Sequence, residues 1–146
     1  MHLKITSLEW LIRDEDIKQL TIDTQNGQIT VLPGHDNMLS VLKPGLVRIV
    51  PTQWHHERKF SFLLDKEYIV FGVLWGVLKV EGNEVQLLTN MVIVDNQNPL
   101  EILQQNKQLL QEKLQKAELM EWDHDLLESD LQKIEVELKL AFWKQK

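Results

Sequence analysis

Residues 27–49 read GQITVLPGHDNMLSVLKPGLVRI, and the fold follows from how this stretch divides. Thr30, Val31 and Leu32 form a short apolar run with β-branched members that halts at Pro33-Gly34. There proline presets the first turn dihedral and glycine accepts the positive φ that other residues resist. His35, Asp36 and Asn37 make a polar tip, Met38, Leu39, Val41 and Leu42 resume the apolar pattern, and Pro44-Gly45 predicts a second turn before Leu46-Val47-Arg48-Ile49. The segment reads as a β-meander with one polar loop.

The flanking sequence continues in the same style. Leu3 and Ile5 alternate with polar neighbours, and Leu11-Ile12 precede the charged run Arg13-Asp14-Glu15-Asp16, which reads as a turn. Ile17, Leu20 and Ile22 then lead to Thr24-Gln25-Asn26-Gly27, where Asn-Gly marks a tight hairpin. After Pro51 a hydrophilic tip over 52–59 carries His55-His56, and short apolar runs follow at 60–64, 68–71, 73–74, 77–80, 85–88 and 91–94, with a turn at Gly82-Asn83. This is the pattern of an all-β sandwich of about ten strands.

At residues 95–98, Asp-Asn-Gln-Asn, the apolar period changes from two to about three and a half, which places a boundary between a domain over 1–95 and another over 98–146. Asn98 is placed to cap a helix with Pro99 at its first position and Glu101 at its third. Leu100, Leu103, Leu110, Leu114 and Ala117 share one face, interrupted at Lys107, and the helix is expected to end near 118–120. Asp125, with Glu128 three residues later, predicts the start of a second helix whose seam is Leu127, Leu131, Ile134, Leu138 and Ala141. The pair makes a C-terminal antiparallel α-helical hairpin behind the sandwich. Phe142 and Trp143 are placed to lock it down.

Composition narrows the function. A chain of 146 residues suffices for one core plus an appendage. The net charge of −6 excludes a basic face for nucleic acid, and the lack of cysteine excludes disulfides, thiolate metal sites and a cysteine nucleophile. No apolar run reaches the roughly eighteen residues of a membrane span, and the first residues enter alternation directly without the pattern of a leader. Neither glycine-rich phosphate motif occurs. His35, His55, His56 and His124 read as loop residues with no ligand spacing, and Asp14-Glu15-Asp16 as a hydrated turn, so no metal, cofactor or catalytic group is expected.

The run Gly27 to Leu32, Pro33-Gly34-His35 and then Leu42-Lys43-Pro44-Gly45 with Arg48 resembles the epsilon subunit of F-type ATP synthases, bacterial or plastid in type. The resemblance implies a non-catalytic rotor subunit of the central stalk that couples proton or sodium ion flow through the membrane ring to ATP synthesis or hydrolysis. It implies the gamma shaft subunit and the c-ring as partners, peripheral attachment at the cytoplasmic face of a bacterial plasma membrane or at a plastid thylakoid, and contact with the ring through Pro33, Gly34, His35, Asp36 and Asn37. Through the hairpin it implies regulatory contacts with the alpha/beta catalytic head, carried here by Lys133, Lys139, Lys144 and Lys146.

Three departures from the family stand out. The nucleotide signature at the start of the first helix falls on Leu100, Glu101 and Gln104 and lacks its arginine, so ATP binding is expected to be weak or absent. Family members tend to carry two glycines before the strand at 77–80, where this chain has Trp75-Gly76. Acidic residues from Glu118 to Asp130 also crowd the hairpin turn without a lysine or arginine between them. The reading from another class is a free-standing regulatory domain that binds a small ligand or signalling protein.

Overall fold

The computed structural model describes residues 1–8, 10–53, 63–65, 68–94, 99–116 and 121–144. Among the described residues nine strands run in chain order: β1 His2–Ser7, β2 Leu11–Thr24, β3 Gly27–Val31, β4 Met38–Pro51, β5 Leu63–Asp65, β6 Tyr68–Val73, β7 Gly76–Glu81, β8 Glu84–Thr89 and β9 Val92–Ile93. Two helices follow, α1 Leu100–Gln115 and α2 Glu121–Lys144. The expected tip at His55-His56 lies outside the described residues.

The strands form two layers that share β2 and β4. In the first layer β1 lies between β2 and β8, antiparallel to the former and parallel to the latter, and β7 joins β8 to the start of β4. In the second layer the later half of β2 pairs β3 and β4, and β4 continues to β6, which also carries β5 and β9. Alternate residues of both layers point inward, among them Leu3, Ile22, Ile49, Phe71, Leu78 and Val85, all fully buried.

Two expected turns are strand interior. Pro44-Gly45 lies within β4, at the point where it stops pairing β7 at Val41 and begins pairing β6 at Gly45. Proline is tolerated because the β2–β4 register slips between Leu42 and Val47, so the missing N–H costs no regular ladder bond. Gly45 is needed for space: a Cβ there would overlap the Asp23 side chain. The result is a corner that carries one strand from sheet to sheet, where the composition had suggested a reversal.

Arg13-Asp14-Glu15-Asp16 is likewise the middle of β2. Alternation separates its charges: Arg13 and Glu15 form a half-buried forked pair at 2.6 and 2.8 Å, while Asp14 and Asp16 lie opposite Lys4 and His2 of β1. Each charge has a partner, so the run can extend as strand.

The helices are shifted from their expected bounds. Pro99 holds the cap position of α1 with no side-chain cap, Asn98 is outside the described residues, and the helix ends at Gln115, before 118–120. α2 starts at Glu121, so His124 and the expected cap Asp125 lie within its first turns. Of α1 only Leu103 is buried. Against the second layer, Val136 and Leu140 of α2 form a separate cluster with Val70, Leu74 and Ile93, flanked by Leu46, Tyr68 and Trp143. Phe142, expected to share the locking role, is half exposed.

Candidate functional site

The loop after β3 is shaped by its backbone. The His35 N–H donates to the Leu32 carbonyl at 3.0 Å across Pro33-Gly34, and Gly34 has φ 86°, which makes this the proline-glycine turn expected from the sequence. His35 Nδ1–H donates to the Asp36 carbonyl at 2.7 Å, so the ring folds back on its own loop. The Gly82 N–H donates to Asn37 Oδ1 at 2.9 Å, which ties the loop to the β7–β8 turn. The His2 N–H in turn reaches the Asn83 carbonyl at 2.9 Å. The five residues Pro33 to Asn37 are therefore held together at one end of the sandwich, beside a second turn and the start of β1.

His2 completes this end. Its ring bonds Asp16 at 2.9 Å through Nδ1 and Asp14 through Nε2. Hydrogen bonds that the ring donates to the Asp16 and then the Asp14 carboxylate hold the imidazole above its ordinary value near 6.5. The sequence does not signal this group, because it forms only once Asp14 and Asp16 lie in a strand opposite β1 rather than in the expected turn.

The outer face of the first layer is graded by strand register. Asp16, His2, Glu84 and Glu81 make a row at the loop end, and Asp14, Lys4, Gln86, Lys79 and Leu39 make the next. Farther along, Leu11, Thr6, Leu88, Val77 and Val41 lie side by side across five strands. The four apolar members of that row are 36–50% exposed, which makes an apolar band, interrupted at Thr6, on a sheet face no element covers among the described residues.

The other expected sites are dispersed. Lys133 and Lys139 are exposed on α2, six residues apart and so on different sides of the helix. Lys133 lies along a groove with Lys113, Asp130 and Glu137. Lys144 ends α2, and Lys146 is outside the described residues. Glu101 and Gln104 are exposed in the first turns of α1, with Leu100 half-buried. His124, Asp125 and Glu128 each offer one ligand atom within 4.8 Å of the others near the start of α2, a grouping that the expected loop at His124 does not anticipate.

Residues 1–94 match the family described as ATP synthase, Delta/Epsilon chain, beta-sandwich domain. The full chain is 25% identical to the ATP synthase epsilon chain, chloroplastic, of Chara vulgaris, spanning 91% of that protein. With the ATP synthase epsilon chain of Campylobacter fetus it shares 30% identity over 90 residues, which is 62% of this chain and 60% of that one. Its fold resembles a chain of the Euglena gracilis mitochondrial ATP synthase OSCP/F1/c-ring structure, with TM-score 0.70 and 21% identity over 96% of this chain and 79% of the other. A chain of the Tetrahymena thermophila mitochondrial ATP synthase central stalk/c-ring structure aligns with TM-score 0.56 and 12% identity, over 94% and 96% of the two chains. The Pro33-Gly34-His35 turn, the strand-sharing sandwich and the family match over most of its length agree: this chain belongs to the ATP synthase delta/epsilon chain family.

Proposed function

We propose that this chain is the non-catalytic epsilon subunit in the central stalk of an F-type ATP synthase, linking ion flow through the membrane ring to ATP turnover in the catalytic head. The observation that carries the reading is the rigid Pro33–Asn37 loop, tied through Asn37 and Gly82 to the end of a sandwich that matches the family. In this reading residues 1–95 form the coupling domain and 98–146 the hairpin domain. The loop meets the polar loops of the ring, and the apolar band of Leu11, Leu88, Val77 and Val41 is covered by the gamma shaft subunit, which accounts for its exposure in the isolated chain. Membrane attachment is peripheral, through the complex; no helix among the described residues is long and apolar enough to cross a bilayer.

The catalytic head would meet Lys133, Lys139, Lys144 and Lys146 only weakly, because the described lysines do not converge and Lys133 has acidic neighbours. Leu100, Glu101 and Gln104 supply no cation for a phosphate, so ATP affinity is weak or absent. A free-standing regulatory domain is not favoured by the family match. Reconstitution into vesicles tests the main reading: the combined change of His35 and Asp36 to alanine should lower ion-driven ATP synthesis while the complex still assembles. Unchanged coupling would remove the loop from the ring contact, and failure of the wild-type chain to join a shaft subunit would remove the function itself.

A further inference from the structure

Trp75, at the link between β6 and β7, is held by three backbone bonds. Its N–H donates to Asn90 Oδ1 at 2.9 Å, and its carbonyl accepts from the Asn90 N–H at 3.0 Å and from Thr89 Oγ1 at 2.8 Å. Thr89 is itself buried, and Gly76 lets the backbone lie against Leu88, where a Cβ would strike the carbonyl. The link is therefore a rigid mount, and the indole it projects donates from Nε1 to Gln132 Oε1 of α2 at 3.0 Å. Gln132 stands one turn before Val136 and on the same side of α2 as Val136, Leu140 and Trp143, the side chains that meet the sandwich.

We propose that Trp75 is a latch residue that fixes the direction of the helical hairpin on the sandwich. The apolar cluster alone does not settle that direction. Val136, Leu140 and Trp143 define a contact confined to the C-terminal half of α2, about which the longer N-terminal part of a helix of 24 residues can swing. A directional bond at Gln132, beyond the near end of that contact, removes the pivot. The indole is 40% exposed, so the bond competes with water; it sets orientation more than it adds affinity.

The test uses the full chain, whose lack of cysteine allows clean single-site labelling. Spin labels on β8 and near the start of α2 report the hairpin distance distribution, and hydrogen exchange reports opening of α2. Trp75→Phe, which keeps the ring and loses the donor, and Gln132→Leu, which loses the acceptor, should each broaden the distribution and raise α2 exchange about five-fold. The double variant should be no worse than either single one, and Gln132→Glu, which keeps an acceptor, should behave as wild type. An unchanged distribution in Trp75→Phe, additive effects in the double variant, or loss of order in Gln132→Glu would each overturn the latch. Because every readout is taken on the isolated chain, the outcome is independent of the assignment to a rotor.

Discussion

The Arg48 guanidinium lies 5.0 Å from the centroid of the Trp143 ring, so a strand at the heart of the sandwich holds the far end of α2 by a cation over an aromatic face. Such contacts contribute about 0.5–2 kcal/mol depending on desolvation. Arg48→Leu should therefore free the last turns of α2, seen as faster amide exchange after residue 138, with little change in the exchange of β1 and β8. Arg48→Lys should retain part of the contact, because the ammonium keeps the charge and loses the stacking plane.

Gly72 faces Val136 across the sandwich–helix boundary, and a Cβ there would overlap Val136 and crowd Ile93. Its backbone has no positive φ, so the requirement is space alone. Gly72→Ala should cost about 1–3 kcal/mol, and the combined Gly72→Ala and Val136→Ala variant should recover part of it. Thermal unfolding of both variants checks this. Full additivity would show that the two positions do not meet.

Gly34 needs its conformation and has open space around its Cα hydrogens. Gly34→Ala should cost about 1–2 kcal/mol through the left-handed backbone alone. Gly34→Asn should cost less, because asparagine tolerates that region better. Denaturant titration distinguishes the two, and equal losses would point to a steric cause.

His2 gives the stability a pH dependence of known sign. Its folded pKa is raised by Asp16 and Asp14, so its contribution is complete below the ordinary imidazole value near 6.5 and is lost as pH rises through the raised value. Glu84, opposite His2 on β8, adds a further carboxylate to the surroundings. Wild type should lose stability relative to His2→Gln as pH rises above the ordinary imidazole value near 6.5 and through the raised one, measured as denaturation midpoints. A constant difference across that range would exclude the imidazolium.

The sequence exposed those features whose cause is local. Pro33-Gly34 and Asn26-Gly27 were legible because a glycine with positive φ is required by the turn itself. Pro44-Gly45 carries the same residues, yet what decides it is a neighbour far along the chain, Asp23, and a slip of register against β2. Arg13 to Asp16 misled for a related reason: four charges in a row look hydrated until β1 supplies His2 and Lys4 across the ladder. On α2 the apolar spacing through Leu127 and Leu138 was readable. The side that meets the sandwich, Val136 and Leu140, was hidden because a second apolar side on one helix blurs the period. Of the candidate site, the Pro33–Asn37 loop was visible as a motif. Its attachment to Gly82 was not, since that bond joins residues 45 positions apart.

The corner at Pro44-Gly45 makes β4 a single unbroken backbone from Met38, next to the polar loop, to Arg48, beneath Trp143. That is about 33 Å of extended path at 3.3 Å per residue, paired with β7 over Met38–Val41 and flanked by β2 and β6 at Val47 and Arg48. A load applied at the loop would reach the helical end through covalent bonds, without crossing a side-chain contact until the last step. β4 is in this sense a bent tie rod, and the sheet ladders around it keep the rod from buckling.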